Sequence, residues 1–168
     1  MPEILECREF INADEIAYAL SPQHPEAVAI RAGRIMLERI RRSAESGVDF
    51  AFETTLAIRS YAPMLEEFKS RGSSVILIYF YLESVELAIQ RVADRVAGGG
   101  HSIPEQIIRR RYHRGIGNFF SRYSIIADSW VVYDNSATMP ELIARKGLGL
   151  ETEVFNTDIW RSIRSQRG

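Results

Sequence analysis

The chain has 168 residues, 46% of them hydrophobic, and a formal net charge of −1, which is the length of one domain with a single sizeable core. Its one cysteine, Cys7, excludes an intrachain disulfide, and no apolar run reaches membrane-spanning length. MPEILECREF carries three Glu and lacks the apolar stretch of a signal peptide, so the expectation is a soluble, cytoplasmic, single-domain protein spanning 1–168.

Strand and helix patterns alternate along the chain. REFIN (8–12) reads as a short strand ending just before Asp14. Residues 25–46 read as a long amphipathic helix, with Ala29, Ile30, Gly33, Met36, Leu37 and Ile40 at three- and four-residue steps. DFAFE (49–53) is a short apolar strand, and 59–70 is a helix stopped by Gly72. SVILIYFYL (74–82) is apolar almost throughout, the pattern of a strand buried on both faces. A helix is expected over 84–97, then a hinge at Gly98-Gly99-Gly100, then helical segments near 104–115 and 117–127. Ser102 and Pro104 mark the helix start, and His101 serves the turn. WVVYD (130–134) is another strand; beyond it, ELIARKG and ETEVF are able to pair as a hairpin, with a last helix over 156–166.

Strands separated by helices predict an α/β fold with a parallel sheet, whose ligands bind beyond the carboxyl ends of the strands. The residues that follow the strands are Asp14, Glu53-Thr54-Thr55, Glu83-Ser84 and Asn135-Ser136. Asp14 reads equally as a helix N-cap or as a carboxylate that takes a hydroxyl proton or holds a metal ion. Glu53 is either a paired structural carboxylate or a substrate ligand; emerging from so apolar a strand, it is costly to bury without a partner. Thr54 and Thr55 either cap the next segment or reach a sugar or alcohol.

Of the basic residues nineteen are Arg, against only Lys69 and Lys146. Scattered arginines follow from composition, but Arg91 to Arg122 holds seven Arg against Asp94 and Glu105, a local net of +5. Such a run is usually a solvated helical face. Behind a glycine hinge it also has the properties of a lid, about 98–122, that closes over a polyphosphate. His24, His101 and His113 form no zinc-ligand spacing, and Cys7 lies in no nucleophile motif.

Taken in order, FINADEIA, EAVAIRAGRIMLERI, FAFETTL, GGGHSIPEQIIRRRY and VVYDNS resemble the zeta-toxin family of P-loop kinases, in its chromosomal, poorly characterised branch, over about residues 8–136. The resemblance implies a parallel sheet with flanking helices, a P-loop-kinase-like three-layer sandwich with an arginine-rich helical lid. It implies transfer of the γ-phosphoryl group of ATP, with Mg²⁺, to a hydroxyl of a small molecule or nucleotide sugar. By the same resemblance Asp14 matches the catalytic base, and Glu53, Thr54 and Thr55 match the acceptor pocket. Arg95 and the run containing Arg110, Arg111 and Arg114 match the groups that neutralise the transferring phosphoryl, with the choice among Arg109, Arg110 and Arg111 open. Asp134, Asn135 and Ser136 lie where such kinases place the adenine-side loop.

The family's Gly-x-x-x-x-Gly-Lys-Ser/Thr loop, which cradles phosphates and holds Mg²⁺, occurs nowhere in the 168 residues. Against the family pattern, the first strand and phosphate loop, roughly 25–30 residues, are missing from this chain. The expectation is little or no kinase activity from the chain as given. A sheet lacking that strand has an open edge, which invites a homodimer. The alternatives, in rank order, are a kinase with a late start, a non-catalytic remnant that binds or regulates, with a full-length relative or antitoxin-like partner, and nucleic-acid binding through the arginine face, ranked last.

Overall fold

The computed structural model describes residues 7, 9–100 and 102–166; Arg8, at the start of the first expected strand, and His101 lie outside the described residues. The chain divides into two compact units, 1–54 and 55–168.

In the first unit, β1 (Glu9–Ile11) leads into α1 (Ala13–Leu20). A 3₁₀ turn at Pro25–Val28 precedes α2 (Ala29–Ser46), and β2 (Phe50–Phe52) follows. β1 and β2 pair in parallel, Glu9 opposite Phe50 and Ile11 opposite Phe52, so the chain between them must cross over. Gly47 closes α2 with φ 68°, a left-handed conformation that glycine adopts without penalty. The buried stripe of α2 is Ala32, Met36, Ile40 and Ser43. The expected face was partly displaced: Ala29 and Ile30 are exposed, Ile30 at 79%. Ser43, buried but polar, is satisfied by Glu9 Oε2 at 2.6 Å and the Arg39 carbonyl at 2.9 Å.

The second unit begins with α3 (Tyr61–Ser70), β3 (Ile76–Tyr81) and α4 (Val85–Ala97). α5 (Glu105–Asn118) runs on through a π-helical turn, Phe119–Tyr123, into α6 (Ser124–Ile126). The expected break between 115 and 117 is absent. Gly115 instead permits a close approach: a Cβ there would lie 2.7 Å from the Thr55 carbonyl oxygen. β4 (Ser129–Asp134), β5 (Glu141–Lys146), β6 (Glu153–Val154) and α7 (Thr157–Ser165) complete the unit. The tail thus forms the hairpin and last helix its pattern allowed.

The sheet order is β3-β4-β5-β6. β3 and β4 are parallel, Ile76 opposite Ser129 and Tyr81 opposite Asp134, while β5 and β6 join antiparallel. The purely parallel sheet is therefore corrected to two sheets, the larger one mixed: a short connection such as 135–140 can return the chain only antiparallel. β3 is half-buried for most of its length, not buried on both faces, and Ile76 is 69% exposed. Among the described residues it lies at an edge of its sheet, beside β4. The core gathers Ile116, Phe119, Val132, Ile143 and Ile163, none more than 2% exposed. Phe119 stacks on Tyr79 at 5.0 Å and meets Trp130 edge-on, and Trp130 stacks on Trp160 at 5.6 Å.

Candidate functional site

In the first unit, two expected site residues sit at the carboxyl ends of neighbouring parallel strands. Asp14 is the second residue of α1, and Glu53 directly follows β2. The N-cap is Asn12, not Asp14. Asn12 Oδ1 accepts the Asp14 backbone N–H at 2.7 Å, and Asp14 itself is exposed. The Asn12 Nδ2 also donates to Glu53 Oε2 at 3.0 Å. One asparagine therefore fixes both the helix start that carries Asp14 and the carboxylate of Glu53. The Glu53 N–H donates to the Ile11 carbonyl at 3.2 Å, extending the β1–β2 ladder by one residue. Glu53 is exposed, so the expected burial cost does not arise: the strand ends before its side chain, and the carboxylate meets solvent. Thr54, half-buried, ends this unit.

In the second unit, Thr55 is exposed and its carbonyl lies against Gly115. The next residue, Leu56, is buried with φ 56°, an uncommon conformation for a side-chain-bearing residue. Its carbonyl accepts from Asn118 Nδ2 at 2.8 Å, and Asn118 Oδ1 accepts from Arg59 Nε at 3.3 Å. Asn118 is 3% exposed and satisfied at both ends of its amide. Asn12, Arg59 and Asn118 are the positioning residues that sequence reasoning missed. Only Asn12 carried a signal, an Asn directly before a helix.

The arginine segment is docked. Ile108 and Ile116 are buried, Tyr112 donates to the Leu82 carbonyl at 2.8 Å, and the Tyr123 hydroxyl donates to the Ile58 carbonyl. The three glycines end α4: the N–H groups of Gly98, Gly99 and Gly100 donate to Asp94, Val96 and Arg95 carbonyls. A Cβ at Gly100 would lie 2.9 Å from the Arg95 carbonyl oxygen. Their local role is thus a tight helix stop. Arg95 is exposed in the last turn of α4.

Arg109 separates from its neighbours. It is held by Glu86 at 2.9 Å and Glu105 at 2.8 Å, and its guanidinium draws the Glu86 carboxyl below the usual carboxylate range. Arg110, Arg111 and Arg114 are exposed and pair with no carboxylate among the described residues.

Beyond β4 the loop is knitted to the end of β3. The Glu83 N–H donates to Ser136 Oγ at 2.8 Å, and the Asn135 N–H to the Tyr81 carbonyl at 2.8 Å. The Ser136 N–H donates to Asp134 Oδ1 at 2.9 Å, and Arg91 reaches the Ser136 carbonyl at 3.2 Å. Asn135 and Ser136 thus lie in a preformed loop at the carboxyl ends of β3 and β4, where ligands of such sheets bind.

Among the described residues no group of three His, Cys, Asp or Glu side chains is placed to hold a metal ion, and no helix is long and apolar enough to cross a membrane. The family model described as Zeta toxin matches residues 6–140. An uncharacterized protein of Haemophilus influenzae is 33% identical over 102 residues, covering 61% of this chain and 73% of that protein. No solved structure matches the chain. With the match running over most of its length, the chain belongs to the zeta-toxin family.

Proposed function

We propose that the site serves ATP-dependent phosphoryl transfer to a hydroxyl of a small molecule or nucleotide sugar. The observation that carries this reading is the Asn12 bridge, which ties the start of the Asp14 helix to Glu53 at the ends of two parallel strands. In this reading the Asp14 carboxylate, exposed at a helix start, accepts the proton of the acceptor hydroxyl. Glu53, Thr54 and Thr55 orient the acceptor. Arg95, Arg110, Arg111 and Arg114 offset charge on the phosphoryl group, while Asn135 and Ser136 flank the nucleotide.

ATP with Mg²⁺ would supply the phosphoryl group. The residues present fit it only in part: they offer guanidinium groups for a polyphosphate, but the sequence given has no phosphate-cradling loop. Little or no transfer is therefore expected from these 168 residues alone, because phosphoryl transfer depends on positioning as much as on charge. The arginine assignment is tested by ATP titration of the natural protein. Arg110→Ala with Arg111→Ala should weaken ATP binding at least tenfold, and unchanged affinity would remove both from the site.

The second reading is a non-catalytic binding module. It is favoured by β3, which among the described residues is the edge strand of its sheet and thereby offers a place for a partner's strand, a second copy or an antitoxin-like protein. A concentration-independent monomeric mass in sedimentation would count against self-association.

A further inference from the structure

The second unit carries an open pocket of about 570 Å³ beside the π-helical turn, and its walls include Arg59, His113, Arg114, Asn118, Phe120 and Gln166. Two arginines thus line one space, and among the described residues no Asp or Glu does. Neither Arg59 nor Arg114 pairs with a carboxylate among the described residues. Gathering like charges without a counter-ion is unfavourable, so the arrangement is one that a bound anion would relieve.

The walls are also fixed. Arg59 is held through its Nε by Asn118 Oδ1 at 3.3 Å, and Asn118 is held by the Leu56 carbonyl at 2.8 Å. Anchoring by Nε leaves the terminal nitrogens of Arg59 to make paired hydrogen bonds to an oxyanion. Arg114 lies four residues before Asn118, on the same helical face. Gln166, on another wall, is fixed by the Tyr81 hydroxyl at 3.0 Å and the Tyr112 hydroxyl at 3.3 Å. Phe120 adds an apolar surface.

We infer that this pocket binds a phosphate-bearing small molecule, with Arg59 and Arg114 on the phosphate. A phosphate monoester is the better charge match, because it carries close to two negative charges at neutral pH where a carboxylate carries one. The volume suits an organic phosphate of sugar or mononucleotide size. For Arg114 the inference rests on the proposed function, which already sets that residue against a phosphoryl group, but binding here would persist in a chain that transfers nothing. It adds Arg59, which no feature of the sequence singles out, to the functional residues.

The test is calorimetric titration of the 168-residue chain with ribose 5-phosphate, with ribose as the uncharged control. Saturable binding of the phosphate and none of ribose is expected. Arg59→Gln and Arg114→Gln should each weaken it at least tenfold, while Arg161→Gln, which removes an exposed arginine elsewhere, should not. Absence of saturable binding up to millimolar concentration, or equal loss in all three variants, overturns the assignment. Should the variants fold poorly, amide shifts of the unaltered chain decide the matter. Ribose 5-phosphate must move the Asn118 side-chain amide and the Gly117 backbone amide; shifts confined to other segments overturn the inference.

Discussion

Asn12 uses both ends of its side-chain amide, accepting the Asp14 N–H and donating to Glu53. Replacing it by Ala removes the cap and leaves Glu53 without that donor. The expected loss of stability is about 1–2 kcal/mol, mostly the cap, since the Glu53 bond is exposed. Urea unfolding of Asn12→Ala measures it, and Asn12→Asp, which keeps the cap but sets a carboxylate against Glu53, should recover part of the loss. At this scale the sequence was legible in type but not in partner. It marked Asp14 and Glu53 by their positions after strands, yet the cap proved to be Asn12, two residues before Asp14, and the partner of the exposed Glu53 is the same Asn12, 41 positions away. Asn118 carried no local sign. Its function as a bridge between Leu56 and Arg59 arises from contacts across some sixty positions.

At the scale of elements, the long periodic helices and the apolar strands were legible, because their patterns repeat over enough residues to fix a face. The glycines were not. Gly98 to Gly100 read as a hinge from composition, while their carbonyl partners in α4 make them a helix stop. Helical segments were expected near 104–115 and 117–127, while the missing Cβ of Gly115 lets one continuous helix lie against the Thr55 carbonyl. The packing around β3 and α5 has a consequence in alkali. Burial raises the phenol pKa values of Tyr79, Tyr112 and Tyr123, that of Tyr123 to about 12 against an ordinary 10.0. A raised phenol pKa favours the folded state fully below pH 10. That contribution is lost as pH rises from 10 toward about 12, because the unfolded chain ionises first. Stability should therefore fall over that window. Tyr123→Phe should flatten the fall, at a cost of about 1 kcal/mol at neutral pH for the bond to Ile58. Denaturation midpoints across pH 8–12 would show this as a smaller slope in the variant; an unchanged slope would detach Tyr123 from the effect.

For the whole molecule, the order of motifs carried more than any one of them. Five weak signals in sequence pointed to the zeta-toxin family, and the family match over 6–140 agrees. What the order did not convey was the split of the strands into two sheets and the mixed character of the larger one. Strand direction in the tail follows from connection length and side-chain packing, and these are set in three dimensions. The catalytic reading unites residues from 14 to 136, and its core is one proton acceptor. The most direct test is the rate at which the natural protein passes labelled γ-phosphate from ATP to hydroxyl acceptors, UDP-linked amino sugars among them, compared with its Asp14→Asn variant. A loss of at least about 100-fold with ATP affinity unchanged is predicted. Transfer by Asp14→Asn at the unaltered rate would contradict the account.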